Sequence, residues 1–218
     1  HFDEFLRTRA KEAGAHRYTG TFTKIERDAD GTHVVYRDKV SGNAMKLTTK
    51  LVIGADGARS NVARTEIKDG EKIPYVIAYH EIIEAPAHNL SYDPARCDVI
   101  YDGKISPDFY GWVFPHGQQA SVGMGSMIKS VDVKQATADL RAASGLTDCK
   151  TLRKEGAPIP LKPLDCWDNG KDVVLAGDAA GVVAPSSGEG IYYAMVGGRV
   201  AATAAAATLA SGRVKDLQ

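Results

Sequence analysis

The spacing of apolar positions at the start of the chain predicts a helix followed by antiparallel strands. From Phe2 onward, apolar residues recur at three- and four-residue steps until Gly14, which is typical of one helix face. Apolar and polar residues then alternate, as they do in half-buried strands. The alternating runs are residues 18–27, 32–37 and 46–53. We expect these runs to pair as a meander.

A short helix and a β-rich stretch are predicted next. Ser60 is a preferred N-cap residue and predicts a helix over residues 60–65. The strand-like runs that follow are residues 75–83, 98–101, 110–114 and 120–127. The pattern then changes to an amphipathic helix over residues 132–144, ended by Gly145, and to an extended, proline-rich segment over residues 156–164.

The last part of the chain predicts a short buried strand and a long helix. Residues 172–176 enclose the fully apolar run Val173–Leu175, and a helix is expected from near Ser187. Residues 191–210 are long enough to cross a bilayer, but Ala and Gly dominate them and Arg199 interrupts them. A bilayer span needs about 20 strongly apolar residues. We therefore expect a buried helix.

Composition and charge favour a folded protein that does not bind nucleic acid. The 218 residues are 44% hydrophobic and 25% charged, which is enough to build a core. Lys+Arg and Asp+Glu are both 27, whereas a nucleic-acid binder normally has a basic excess. The three cysteines form no C-x-x-C pair, so we expect no metal site.

Residues 176–191 carry the strongest chemical signal. The buried strand leads into a glycine-rich corner with Asp178 at its tip, and the glycine pair Gly188 and Gly190 then opens a helix. Glycines allow a ligand to approach the backbone, and a helix start offers unpaired N–H donors. An isolated carboxylate beside such donors suits a ligand with hydroxyl groups. The alternative is a strand–loop–helix turn that needs its glycines for packing alone.

Two further patterns are candidate sites. Asp56 and Gly57 follow a predicted strand, which is either an ordinary turn or a ligand-binding corner. Tyr110, Trp112 and Phe114 alternate and therefore share one face of a strand, either as sheet core or as an apolar wall. The aromatic pattern also includes Pro115, Gly123 and Gly125.

Residues 176–191 resemble the G-D-A-A-x-x-x-x-P-x-x-G-x-G motif of the p-hydroxybenzoate-hydroxylase-like flavoproteins. The resemblance implies that Asp178 holds the ribityl chain of FAD and that Gly188, Glu189 and Gly190 line the flavin ring. The full set of implied cofactor-binding residues is Gly177, Asp178, Ala179, Ala180, Gly181, Pro185, Gly188, Glu189, Gly190 and Ile191. Asp56 and Gly57 resemble the second fingerprint of these proteins, Asp-Gly-x-x-Ser-x-x-Arg, which lies near FAD and the pyridine nucleotide; here the Arg falls one residue late, at Arg64.

The aromatic pattern resembles the Tyr-x-Trp-x-Phe-Pro…Gly-x-Gly signature of geranylgeranyl reductases. Gly181 stands where many hydroxylases carry His. Residues 108–117 and 155–163 are also similar to the geranylgeranyl reductases of chlorophyll and bacteriochlorophyll synthesis. The resemblance implies FAD- and NADPH-dependent reduction of a geranylgeranyl group to phytyl, as diphosphate or pigment ester. An aromatic hydroxylase of the same fold and a non-catalytic prenyl- or pigment-binding module are the alternatives.

The resemblance implies an α/β (α+β) flavoprotein fold that is only partly present. We expect residues 1–70 and 166–218 to belong to an FAD-binding domain, and residues 71–165 to form an antiparallel substrate-binding sheet. No G-x-G-x-x-G unit for the FAD pyrophosphate occurs, so we expect a piece of a longer protein that binds FAD weakly by itself. We also expect a cytoplasmic location, peripheral on photosynthetic membranes. No residue is identified as catalytic.

Overall fold

The computed structural model describes residues 2–87 and 91–217. Its elements are α1 (Phe2–Glu12), β1 (Gly20–Asp28), β2 (Gly31–Asp38), β3 (Ala44–Thr49), β4 (Val52–Gly54), α2 (Asn61–Glu66), β5 (Tyr75–Glu84), β6 (Asp98–Ile100), β7 (Gly111–His116), β8 (Gln119–Ser126), α3 (Val133–Ala143), β9 (Thr151–Pro160), β10 (Val173–Leu175) and α4 (Ile191–Ser211). Helices combined with two antiparallel sheets and one parallel strand pair confirm the predicted α/β (α+β) class.

The predicted meander is confirmed, but the prediction that residues 46–53 form a single strand is wrong. Strands β1, β2 and β3 form an antiparallel sheet in that order. The chain then bends at Lys50, where the Thr49 hydroxyl donates to the Leu51 carbonyl at 2.8 Å. Strand β4 continues the alternation but pairs in parallel with β10. A period of two runs unbroken through such a bend, because the pattern reports burial rather than the identity of the partner strand.

A five-stranded sheet, in the order β6-β7-β8-β5-β9, has two unlike faces. Helix α3 covers one face, where its Leu140 packs among Ile83, Val122 and Met124. Glu81 and Arg141 join β5 to α3 through an ion pair of 2.6 Å. The opposite face carries Trp112 and is free of any helix within the described residues. This uncovered face belongs to the candidate site.

The starts of two elements and the burial of one helix differ from the predictions. Strand β9 begins at Thr151, before the extended segment predicted from residue 156, because polar residues are tolerated on the exposed side of an edge strand. Helix α4 begins at Ile191 rather than near Ser187, since residues 184–188 close a turn in which Gly188 N–H donates to the Ala184 carbonyl at 2.8 Å. The expectation that α4 is buried is also wrong. Only Ala201, Ala205 and Thr208 of this helix are buried.

Membrane crossing by a helix finds no support in the part of the chain that the structure describes. Neither the 21-residue α4 nor any shorter helix there combines the length and the apolar character that a span requires.

Candidate functional site

The two glycine–aspartate segments leave the same edge of the parallel strand pair. Gly54 lies opposite Leu175, and the Ala176 N–H donates to the Gly54 carbonyl at 2.9 Å. Asp56 and Asp178 therefore follow neighbouring parallel strands at their carboxyl ends. Ligands of open α/β sheets bind at this edge. Tertiary structure thus brings together two motifs that are far apart in the sequence.

The Asp178 corner is a single 3-10 turn, Gly177–Ala180, between β10 and the following loop. Ala179 and Ala180 are both 0% exposed and pack with Val62 and Ala63 in the core. Because their side chains face the interior, any contact they make with a ligand has to come from their backbone. Only the Asp178 side chain leaves this turn toward the surface.

The carboxylate of Asp178 is half-buried. Among the described residues, its hydrogen bonding is confined to its own backbone N–H. Burial raises the pKa of this carboxyl group above its ordinary value. A Cβ on Gly190 would lie 3.1 Å from Asp178 Oδ1, so the carboxylate sits against the start of α4. A ligand hydroxyl would satisfy this group, and a ribityl chain therefore fits.

The N-terminus of α4 is arranged as an anion-favouring end. Gly190 is its N-cap and supplies no side-chain cap, whereas Glu189 Oε1 accepts from the Tyr192 N–H at 2.9 Å. The first turn of a helix carries N–H groups without intrahelical partners and a partial positive charge. The preceding turn leaves Pro185 exposed. Ile191 is 66% exposed, so this helix end is accessible.

Asp56 accepts hydrogen bonds from the start of α2. One of its oxygens accepts from the Ser60 hydroxyl, and the other accepts from the backbone N–H of Asn61 at 2.7 Å. Ser60 itself accepts from the Ala63 N–H at 2.8 Å, which confirms it as the predicted N-cap. Gly57 has a φ of 85°, and a Cβ built there would have no neighbour within 4 Å. Asp56 remains exposed at this corner, and the Gly57 backbone beside it is free of a neighbour on its Cβ side.

Aromatic rings line the uncovered face of the five-stranded sheet. The Trp112 ring centroid lies 6.0 Å from that of Tyr110 and 6.2 Å from that of Phe114. A Cβ on Gly123 would lie 2.6 Å from Trp112 Cζ2, and one on Gly125 would lie 3.0 Å from a carbon of the Phe109 ring. The two glycines thus make room for the rings. Pro115, also on β7, lies toward the hairpin end opposite Ala120.

An open groove of about 560 Å³ follows this aromatic face. Trp112 and His80 contribute to one side, and Ala157 and Ile159 of β9 contribute to the other. Its wall is mainly apolar, which suits a hydrocarbon ligand. We refer to this feature, lined by Ala78, His80, Trp112, Glu155, Gly156, Ala157 and Ile159, as the sheet groove.

The sheet groove and the Asp178 corner touch each other. The Tyr110 hydroxyl donates to the Ser187 carbonyl, in the turn that precedes α4. A Cβ on Gly188 would lie 3.2 Å from both Ile159 and Phe109, so this turn packs directly on the sheet. The aromatic residues and the Gly188–Gly190 segment therefore border one continuous site.

Sequence reasoning missed a polar cluster in the sheet groove. His80 Nδ1 lies 2.8 Å from Ser121 Oγ, and His80 Nε2 lies 3.1 Å from Glu155 Oε2. Trp112 Nε1 donates to the same Ser121 Oγ at 3.0 Å. The available signal was His80 itself, an ionisable residue within the largely apolar run of β5. The described residues contain no group of three or more side chains able to hold a metal ion.

Comparison with known proteins places the chain among flavoproteins. Residues 1–75 match the FAD binding domain family. The chain is 64% identical over 217 residues to a geranylgeranyl diphosphate reductase of Rhodobacter capsulatus, covering 100% of this chain and 55% of that protein. It is 37% identical to a chloroplastic geranylgeranyl diphosphate reductase of Oryza sativa, covering 96% of this chain and 47% of that protein. The chain thus spans about half the length of these relatives.

The fold agrees with this assignment. A geranylgeranyl bacteriochlorophyll reductase-like protein from Thermoplasma acidophilum matches with a TM-score of 0.87 at 24% identity, over 100% of this chain and 56% of that one. A structural match at this identity establishes the flavoprotein fold, and the sequence identity along the whole chain supplies the narrower assignment. Along its whole length the chain is thus similar to geranylgeranyl diphosphate reductases, and its first 75 residues match the FAD binding domain family.

Proposed function

We propose that the protein containing this chain reduces isolated C=C bonds of a geranylgeranyl group, as diphosphate or pigment ester, toward phytyl. FAD is the bound cofactor and NADPH the electron donor. The observation that carries the proposal is the junction between the two halves of the site. The Tyr110 hydroxyl donates a hydrogen bond to the turn before α4. The aromatic groove, which suits a hydrocarbon chain, therefore lies directly beside the Asp178 corner.

FAD, when bound, supplies the hydride for the alkene, and the chain's own residues supply binding and orientation. Asp178 would accept a hydrogen bond from the ribityl chain, and its half-buried carboxylate makes that bond favourable. The first turn of α4, with Gly188, Glu189 and Gly190 before it, would face the flavin ring. Its partial positive charge favours anionic character there by about 0.3–2 kcal/mol. Gly57 leaves room for the cofactor at the neighbouring corner.

The sheet groove would hold the prenyl chain and keep water from it. Trp112 is buried, and Phe114 and Tyr110 extend its surface along β7. A polyprenyl chain has no hydrogen-bonding group over most of its length, so an aromatic wall binds it by apolar contact. Residues 71–165 are proposed as the substrate-binding part, and residues 1–70 and 166–218 as the FAD-binding part. We further propose that the protein acts peripherally at photosynthetic membranes, where pigment esters reside.

The decisive experiment uses the full-length parent protein with NADPH and, separately, geranylgeranyl diphosphate and a geranylgeranyl pigment ester. Mass spectrometry of the prenyl tails should show stepwise gains of two hydrogens. Trp112→Ala should weaken prenyl binding and leave flavin content unchanged. Loss of flavin with prenyl turnover kept would contradict the roles assigned to the two halves of the site.

The same experiment separates the alternatives. An aromatic hydroxylase would consume NADPH in an oxygen-dependent way with an aromatic substrate. A prenyl- or pigment-binding module would bind the pigment without reducing it. Gly181 weighs against the hydroxylase, because many hydroxylases carry His at this position and the backbone here admits only glycine.

A further inference from the structure

Adding a hydride to an isolated alkene leaves one carbon that still requires a proton. This inference therefore rests on the proposed function and concerns the source of that proton. Within the sheet groove, the described ionisable side chains are His80 and Glu155. His80 is 27% exposed and packs against the Trp112 ring, with centroids 6.2 Å apart. An imidazole in this position lies beside the face that would hold the prenyl chain.

The hydrogen bonds around Ser121 determine how the imidazole is held. Trp112 Nε1 can only donate, so it occupies one lone pair of Ser121 Oγ. Among the described contacts of this hydroxyl, the remaining acceptor for its proton is His80 Nδ1. The neutral imidazole therefore carries its proton on Nε2, the nitrogen that faces Glu155.

The charged imidazole has an acceptor for each of its two N–H groups. A hydroxyl oxygen has two lone pairs, so Ser121 can accept from a protonated Nδ1 while still accepting from Trp112. Glu155 Oε2 then faces the imidazolium Nε2, and its other oxygen binds Arg153 Nε at 2.7 Å. Both N–H groups of the charged imidazole thus have an acceptor, while the Ser121 proton gives up its bond to Nδ1 in that state. Glu155 is 46% exposed and connects the pair to solvent.

We infer that His80 supplies the proton for alkene reduction, with Ser121 and Glu155 as its positioning residues. The π bond breaks as one carbon gains a hydride from the two-electron-reduced flavin and the other gains the Nε2 proton of the imidazolium, whose hydrogen bond to Glu155 breaks as the proton moves. Neutral imidazole remains and recovers a proton from solvent through Glu155. Both new C–H bonds are accounted for, and the imidazole is neither oxidised nor reduced.

The test isolates the alkene step in the full-length parent. Flavin is reduced anaerobically with NADPH, and its reoxidation on mixing with geranylgeranyl diphosphate is followed by absorbance. In His80→Gln we expect this step to slow about 100-fold or more, because general acids contribute about 10²- to 10⁴-fold. Flavin content and reduction by NADPH should stay as in the wild type. His116→Gln, on the same strand as Trp112 but exposed at its hairpin end, is the matched control and should behave like the wild type.

Two further measurements distinguish a proton donor from a structural residue. In His80→Ala, added imidazole should restore part of the alkene rate, which packing alone would not allow. Ser121→Ala should slow the alkene step about 10-fold, as loss of one hydrogen bond to a positioned group predicts. Spectra of ¹⁵N-histidine-labelled protein should show His80 protonated at Nε2 in the wild type, with that preference reduced in Ser121→Ala.

Each outcome supports or refutes either the proposed function or the role of His80. A wild-type protein that fails to reduce the prenyl tail refutes the proposed function. A wild type that reduces it, together with His80→Gln at an undiminished alkene rate, overturns the role of His80 alone. Should His80→Gln lose its flavin, Ser121→Ala decides: an unchanged alkene rate at normal flavin content overturns the inference, whereas the expected slowing supports it.

Discussion

At the residue scale, Gly181 is dictated by the backbone around it. Its φ is 75°, a left-handed conformation that suits glycine, and a Cβ there would overlap the Lys162 carbonyl oxygen. The Leu164 N–H also donates to the Ala180 carbonyl at 3.0 Å, which holds the two chain segments together. The position that separates this chain from many hydroxylases therefore has a packing reason.

Substituting this glycine should destabilise the fold strongly. We expect Gly181→Ala to lower the free energy of unfolding by about 2–4 kcal/mol, from backbone strain and steric overlap combined. Gly170→Ala is the matched control, because Gly170 has a φ of 65° but no neighbour within 4 Å of a Cβ. The control should lose only about 1 kcal/mol. Equal losses in urea denaturation would show that the overlap contributes nothing.

The Asp178 carboxylate should lower the stability of the cofactor-free protein and strengthen its binding of FAD. Burial raises the pKa of this carboxyl group, so its ionised form is disfavoured in the fold and stability falls as pH rises through the folded pKa. Asp178→Asn should therefore leave the cofactor-free protein equally stable at pH 7 or more stable by up to about 1 kcal/mol. In the full-length parent, the same change should weaken FAD binding about 10- to 100-fold.

The control for this prediction is Asp165→Asn, an exposed position on the neighbouring segment. It should change neither thermal unfolding nor FAD affinity measured by fluorescence quenching. Unaltered FAD affinity in Asp178→Asn would remove the ribityl role from this residue.

At the element scale, an ion-pair cluster joins the meander to the parallel strands. Arg27 of β1 binds Asp172, just before β10, at 2.7 Å and Glu66 of α2 at 2.6 Å. Hydrogen bonds from Arg27, and then from Thr32 and Asn169, hold the pKa of Asp172 far below its usual range. Strands β1 and β2 and the segment before β10 thus meet at the Asp172 carboxylate, and α2 joins them through Arg27.

This cluster predicts a specific acid sensitivity. Because the folded pKa of Asp172 is depressed, its contribution is fully present above the unfolded pKa of about 3.9 and is lost as pH falls below it toward the folded pKa. We expect Asp172→Asn to cost about 1–3 kcal/mol at pH 7, less than a fully buried pair, because the Arg27 side chain is 35% exposed. Urea denaturation between pH 7 and pH 3 should show a smaller acid loss in the variant than in the wild type. Parallel pH profiles would refute this account.

At the scale of the whole molecule, α4 exposes much of its apolar surface. Its exposed large residues are Ile191, Tyr192, Tyr193, Met195, Val200 and Leu209. A groove of about 230 Å³ beside Val196 and Gly197 is also lined by two of these residues, Tyr193 and Val200. An exposed apolar surface of this kind is typical of an interaction site.

The isolated 218-residue chain should therefore bind FAD weakly or not at all. Asp178 and the α4 terminus would contact the ribityl chain and flavin ring, but the chain has no G-x-G-x-x-G unit for the pyrophosphate. Titration with FAD, followed by flavin fluorescence, should show no saturation at micromolar cofactor, while the full-length parent binds stoichiometrically. Tight, stoichiometric FAD on the isolated chain would contradict this picture.

Local sequence was sufficient for features that depend on neighbouring residues. The Ser60 cap, the aromatic face of β7 and the glycine corner at Asp178 all follow from short-range patterns, because capping, alternation and left-handed turns are set within a few residues. The resemblance to geranylgeranyl reductases also followed from such motifs, since each is a contiguous segment of the chain.

Only the tertiary structure decided what depends on distant partners. The split between β3 and β4 came from pairing with β10, and the engagement of Asp56 by α2 came from the geometry of that corner. His80 became a candidate only when β8 and β9 placed Ser121 and Glu155 beside it. Periodicity reports which residues are buried and which backbone they adopt. The partner of each strand and each polar side chain is determined by packing across the whole chain.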